Sequence, residues 1–359
     1  MKTVAKAPGK LFLAGEYAVT IPGHASIIFA IDRFMTVTVS DIDEPVLDLN
    51  SDKLGGLMVK LDDLDHLSAQ GEWQLVIETL KWVKRRLQAD NLTLNGLQIS
   101  FKSDLDIDGK KIGLGSSAAL VVALVNALVK HYHLPENPMH IFKLAAIIMT
   151  SLPDFKRGSM GDVAAASFGG IIFYERFDNL WLEKHLLQPD FNLMVLLELP
   201  WPKLVVRPIV FPENWQLLVG WTGEPADTQK QLSVNQRTAI IYKERLGNKT
   251  TPLIKLLEQN IKAADYIGFR TNLHLNQVAL VKFADVMHLK YMTPKLRALL
   301  TVAHHHGIAA KISGAGNGDN GLAVIRNEAE RVMMASKWEA LKITPLDVHI
   351  AKSRLEGID

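Results

Sequence analysis

The segment Ser116–His131, SSAALVVALVNALVKH, reads as a helix with apolar residues on nearly every face. A helix of that kind cannot rest on a surface, so other elements must wrap it on all sides. Its apolar stretch, Ala118–Val129, is interrupted by Asn126. It is also shorter than the roughly 18–20 residues that cross a bilayer, so a core helix is expected and not a membrane span. The chain has 359 residues, nearly half of them apolar, which is long for one core and comfortable for two domains.

The residues in front of this helix carry chemistry. KKIGLGSSAAL (110–120) sets two lysines, two glycines and two serines at the helix mouth. A helix entrance offers unpaired N–H groups and the positive end of a dipole, and glycines let the backbone close on a ligand. Phosphate is the natural ligand. Lys110 and Lys111 sit close enough to reach its oxygens, and the hydroxyl of Ser116 or Ser117 suits Mg²⁺. The plain alternative, an ordinary helix with Ser116 as its N-cap, leaves the lysine pair and both glycines unexplained.

Two dictionary motifs fail here. GLGSSA fits G-x-G-x-x-A, but a charged loop precedes it where a dinucleotide site needs a strand. The acidic ribose ligand expected some twenty residues on is replaced by the turn HLPENP (133–138). A P-loop fails because no GKS or GKT follows the glycines.

Charge sharpens the picture by exclusion. The 40 basic and 38 acidic residues are evenly spread for a net charge of +2, so no nucleic-acid or membrane field is expected. The absence of cysteine excludes disulfides, thiolate zinc and cysteine-ligated clusters, and fits the cytoplasm. MKTVAKAPGK lacks the apolar run of a secretory signal. The triplet His304–His306 cannot chelate, because successive helical residues point about 100° apart; a cationic helix end before Gly307 is expected.

Along the chain, strands are expected at 3–8, 10–14, 26–30, 34–40, 97–101, 170–177, 217–223, 309–312, 322–325 and 347–351. Helices are expected at 73–89, 116–131, 138–150, 226–244, 252–267, 273–288, 294–306 and 327–341. The Asp- and Gly-rich stretch 41–71 reads as irregular. Texture changes to Trp, Pro and mixed charge between 178 and 215, which places the domains at 1–190 and 191–359. Without strict βα alternation, an α+β architecture follows.

Two further glycine segments accompany the first. APGKLFLAGEY (7–17) brackets a short strand with Gly9 and Gly15, with Lys10 at its start. SGAGNGDNG (313–321) places four glycines between two apolar strands, a loop too long for a simple hairpin and suited to close backbone approach to a ligand. GSMGD (158–162) adds Asp162 at the start of another small-residue helix.

Together, in this order and at this spacing, PGK…GE, GLGSSAA and SGAG resemble the GHMP kinases across essentially the whole chain. Within them GEYAV, DGKKIGLGSS, SMGDVAAASFGG, LLVGWTGEPADT and GAGNGDNG resemble the bacterial phosphomevalonate kinases. The resemblance implies a GHMP kinase fold: an N-terminal ribosomal-protein-S5-domain-2-like domain and a C-terminal ferredoxin-like domain. It implies ATP- and Mg²⁺-dependent phosphorylation of mevalonate 5-phosphate in isoprenoid synthesis, with no membrane or nucleic-acid partner, by a monomer or homodimer.

Carried onto this chain, the resemblance has Lys110, Lys111 and the loop Gly113, Leu114, Gly115, Ser116, Ser117 and Ala118 holding ATP, with Ser117 on Mg²⁺. Lys10 neutralises the transferring group and Asp162 is its catalytic companion. Tyr17, Ser159, Thr228, Ser313, Gly314 and Ala315 line the acceptor pocket together with Lys10. The adenine pocket is expected within 45–85. A phosphate acceptor is already ionised near neutral pH, so extra cations matter more than a base, and Asp162 is expected to orient Lys10. Asn317 and Asn320 replace a usual glycine and cysteine, and Asp227 and Gln229 replace small or hydroxyl residues. Mevalonate kinase, or a GHMP-shaped binding protein without turnover, is the alternative.

Overall fold

Two long antiparallel strands organise the computed structural model, β1 (Lys2–Ala14) and β2 (Ala25–Asp41). They run in register from Lys2↔Ser40 to Ala14↔Ile27, with a shift at Pro8/Gly9. Pro8 has no N–H to give the ladder, so pairing slips at that point. The four short strands expected here are therefore two continuous ones. The structure describes residues 1–68, 70–107, 109–224, 236–318 and 320–355.

The stretch read as irregular contains a hairpin, β3 (Val46–Ser51) and β4 (Gly55–Lys60), in which Leu47 and Leu49 alternate inward. Helix α1 (Glu72–Ala89) follows, then β5 (Leu97–Ser103) and the two-residue pair β6 (Asp106–Ile107) and β7 (Lys110–Lys111). Next come α2 (Ser116–His131), α3 (Pro138–Ser151), α4 (Gly161–Phe168) and β8 (Ile171–Glu175). Helices α5 (Asn179–Leu186) and α6 (Leu193–Glu198) lead to β9 (Val205–Pro208).

The first sheet has seven strands in the order β4-β3-β5-β2-β8-β9, with β1 also paired to β2. Helix α2 is enclosed as its composition demands: every residue from Ala118 to Val129 is buried, Asn126 included. It packs against β1 and β2 and is flanked by α1, α3 and α4.

The second half begins with β10 (Gln216–Trp221), then α7 (Gln236–Lys262), α8 (Tyr266–Val286) and α9 (Pro294–His305). It ends with β11 (Ala309–Ile312), β12 (Asn320–Ile325), α10 (Glu328–Ala340) and β13 (Thr344–Leu346). These four strands form an antiparallel sheet in the order β11-β12-β10-β13. Helix α7 runs straight through Pro252, where a helix start was expected. Residues 226–235 of the expected helix 226–244 lie outside the described residues.

The halves are sewn together. Strand β9, beyond residue 190, pairs with β8 in the first sheet. The chain end also returns to that sheet, with Asp32 N–H donating to His349 O at 2.9 Å and Ala351 N–H to Ala30 O at 2.9 Å. A run of aromatic contacts, Phe29–Phe211–Trp215–Phe269, carries one hydrophobic core from the first sheet to α8. Among the described residues no helix is long and apolar enough to cross a membrane.

Candidate active site

Helix α2 opens with bare amides. Its N-cap is Gly115, at φ +80°, and no side chain caps the first turn, so Ser116 is not the cap that ordinary helix rules suggest. The N–H groups of Ser116, Ser117 and Ala118 therefore remain available at the positive end of a buried helix. An anion is the natural complement.

The slip at Pro8/Gly9 brings β1 against this turn. Lys10 donates its backbone N–H to Leu114 O at 2.9 Å and its Nζ to Gly113 O at 2.8 Å. The aliphatic stem of Lys10 and the Asp162 side chain flank Gly115 on the same side: a Cβ there would lie 3.1 Å from Lys10 Cγ and 3.4 Å from Asp162 Cβ. Lys10, Gly115 and Asp162 thus form one cluster, although 152 positions separate its ends in sequence. Gly115→Ala forces a left-handed alanine and pushes on both neighbours. We expect kcat/KM to fall about 100-fold with the fold intact, as steady-state kinetics beside a circular dichroism melt will show.

Asp162 sits in the first turn of the short α4, its Oδ1 accepting from Val163 N–H at 3.0 Å. The preceding turn is pinned from both sides. Ser159 Oγ accepts from Gly161 N–H at 3.2 Å, and Ser159 O accepts from Tyr174 Oη at 2.9 Å. Burial pushes the Tyr174 hydroxyl far above its ordinary range, so it remains a donor.

The opposite wall is the 313–321 glycine segment, held by the last two residues of the 7–17 segment. Tyr17 Oη donates to Ala315 O at 2.6 Å, and its ring packs 5.1 Å from that of Phe283. Glu16 Oε1 accepts from Gly314 N–H at 3.2 Å and from Lys311 Nζ. Lys311 also donates to Ile312 O at 2.6 Å. Both charged residues are buried, Lys311 completely, and desolvation draws its ammonium below the usual lysine range against the pull of Glu16. Among the described residues Glu16 Oε2 has no hydrogen-bond partner.

The loop itself bends through Gly316, where a Cβ would come within 2.4 Å of Tyr291 O. Asn317, at φ +63°, keeps the left-handed turn and donates its N–H to Tyr291 O at 2.9 Å. Asn320 reaches across to the phosphate turn, its Nδ2 donating to Ile112 O at 2.6 Å. The three glycine segments therefore meet around one site.

Of the residues singled out in sequence, Lys10, Gly113–Ala118, Tyr17, Ser159, Asp162 and Ser313–Ala315 lie in these three walls. Lys110 and Lys111 form β7, hydrogen-bonded to β6, with Lys110 exposed. Thr228, with Asp227 and Gln229, lies outside the described residues. Sequence reasoning missed Glu16 and Lys311. The available signal was a lysine inside the apolar strand AAKI, next to the glycine loop.

From Ser116 and Ser117 a cleft continues past Leu120 to Asp52, Lys53, Leu54 and Trp73, inside the stretch expected to hold the adenine. No cluster of three or more His, Cys, Asp or Glu able to hold a metal occurs among the described residues. A metal here would have to share few protein ligands with a bound phosphate.

Comparison with known proteins identifies relatives along the whole chain. Residues 74–170 match the family described as GHMP kinases N terminal domain, and residues 256–341 match GHMP kinases C terminal. A phosphomevalonate kinase of Streptomyces sp. is 35% identical, over 99% of this chain and 98% of the relative. The solved structure of the Lin0012 protein from Listeria innocua aligns with a TM-score of 0.89 at 28% identity, covering 98% of each chain. That of Streptococcus pneumoniae phosphomevalonate kinase, in complex with phosphomevalonate and AMPPNP, aligns at 0.83 with 25% identity, covering 97% of this chain and 99% of that one. With both family regions matched and a relative of this identity along its full length, the chain belongs to the GHMP kinase family.

Proposed function

We propose that the protein transfers the γ-phosphoryl group of ATP to the phosphate of mevalonate 5-phosphate, forming the 5-diphosphate and ADP. The carrying observation is the uncapped turn at Gly115, with Lys10 and Asp162 packed beside it and the Tyr17–Ala315 wall tied in through Asn320. The Streptomyces and Streptococcus relatives supply the substrate class.

The roles follow from charge. The amides of Ser116, Ser117 and Ala118 hold the phosphates of ATP, and the cleft toward Trp73 takes its base. Lys10 neutralises the group in transfer, held toward it by the Gly113 carbonyl. Tyr17, Ser159, Ser313, Gly314 and Ala315 form the acceptor side. Asp162 orients Lys10. Transfer between two polyanions is chiefly positioning and neutralisation, so no base is required of it.

The donors fit Mg²⁺, which prefers oxygen, keeps several waters and takes one or two protein ligands beside the phosphates. The Ser117 hydroxyl is the protein ligand, and the ion supplies neutralisation of the phosphate oxygens. The reaction belongs to isoprenoid synthesis in the cytoplasm.

A coupled ADP-release assay with MgATP decides the matter. Turnover is expected with mevalonate 5-phosphate and none with mevalonate or without acceptor. Turnover with mevalonate alone would make the acceptor an alcohol and Asp162 its base. Silence with all three would leave a binding protein.

A further inference from the structure

A second cleft, of about 840 Å³, opens between α8 and α9 above β11. It shares no residue with the three walls of the site, and its volume lies in the range of ligand pockets. Helix α8 presents one stripe to it at helical spacing: Arg270, His274, Gln277, Val281, Lys282 and Asp285. Helix α9 faces it with Arg297, Leu300, Thr301 and His304.

The floor is apolar, made by Val281, Met292, Leu300, Ile308 and Ala310. The rim is cationic. Arg270, Lys282 and Arg297 stand against the single carboxylate of Asp285, and among the described residues none of the four forms an ion pair. Arg270 is steadied by a 2.8 Å hydrogen bond from Nη1 to Gly307 O.

One wall residue is polar and buried. Gln277 is 5% exposed, and its Nε2 has no hydrogen-bond partner among the described residues. Its Oε1 accepts from Ile312 N–H at 3.1 Å and from Tyr291 Oη at 3.5 Å. Ile312 immediately precedes Ser313, and the Tyr291 carbonyl anchors the Gly316–Asn317 turn. Gln277 therefore connects the cleft to the glycine loop.

We propose that this cleft is a second binding site, for a small amphipathic anion with an apolar body and a phosphate head, and that its occupancy is transmitted to the 312–317 loop through Gln277. The apolar floor takes the body and the guanidinium groups of Arg270 and Arg297 take the head. A ligand that orders Gln277 acts on the Ile312 N–H next to the loop and on the hydroxyl of Tyr291, whose carbonyl holds Asn317. Coupling of this kind needs only that the loop differ in free energy between the two states.

The test uses the full chain saturated with AMPPNP and titrated calorimetrically with n-hexyl phosphate, inorganic phosphate and 1-hexanol. One-to-one binding of hexyl phosphate is expected, at least tenfold tighter than either control. The double variant Lys282→Glu/Arg297→Glu, altered only at exposed positions, is expected to weaken it tenfold or more at an unchanged melting temperature. Hydrogen exchange at the amides of residues 312–317 is expected to slow when hexyl phosphate is bound. Absence of binding, binding indifferent to the charge reversal, competition with AMPPNP, or unchanged exchange in the loop each overturns the proposal. Sedimentation with phosphatidylcholine vesicles containing phosphatidic acid, without binding of hexyl phosphate, overturns it in favour of a lipid surface.

Discussion

Replacing Lys10 with methionine is expected to lower kcat/KM in steady-state kinetics by about 1,000-fold, the scale on which loss of one preorganised charge at a transferring group is felt. Methionine keeps the stem that packs against Gly115 and removes the ammonium bound to the Gly113 carbonyl. The lost hydrogen bond is worth about 1 kcal/mol of stability, so the protein stays folded. The informative partner is Asp162→Asn. An alcohol acceptor needs a base, and removing one costs roughly 100- to 10,000-fold. A phosphate acceptor with its second ionisation near pH 6 needs none. We therefore expect Asp162→Asn to lose only about tenfold, through a less well-placed Lys10. In both the parent protein and this variant, kcat/KM should climb through about pH 6 and level off, because the titrating group is on the substrate. An Asp162→Asn protein as inactive as Lys10→Met, or one whose acidic limb has vanished, would make the carboxylate the base and the acceptor an alcohol.

Much of this site was legible because each of its walls is local. A glycine turn, a lysine beside it and a helix mouth are short-range features, and the apolar run 118–129 required an enclosed helix behind them. The same locality explains the misses. The β3–β4 hairpin hides its alternation in Leu47-Asp-Leu49, too brief to outweigh the surrounding Asp and Gly. Pro252 reads as a helix boundary, yet α7 continues through it because Ile254, Leu257 and Ile261 beyond it are buried in the main core. Tertiary packing there outweighs the missing backbone bond. Gly115 holds the N-cap, so the plain alternative of a Ser116 cap, which left the lysine pair and both glycines unexplained, falls away. Asn320 looked like a departure from the family pattern, and only the fold reveals that its amide reaches the Ile112 carbonyl.

The pair that no local pattern reveals is Glu16 with Lys311, separated by 295 positions and both buried. Lys311→Met leaves a carboxylate in the interior with, among the described residues, only the Gly314 amide to answer it. Stranding one member of a buried pair costs about 3–5 kcal/mol, which urea denaturation will register as an earlier midpoint at an unchanged slope. Adding Glu16→Gln to Lys311→Met removes the stranded charge while Oε1 still accepts from Gly314, so more than half of that loss should return. The recovered double variant then isolates the functional role. With Lys311 gone, the carbonyl of Ile312 loses its buried donor and the loop at Ser313–Ala315 is seated less firmly. KM for mevalonate 5-phosphate should rise several-fold more than KM for ATP if the loop faces the acceptor side as proposed. A double cycle with no coupling energy would mean that the two charges are not sensing each other, and the loop would then owe its place to Tyr17 and Asn320 alone.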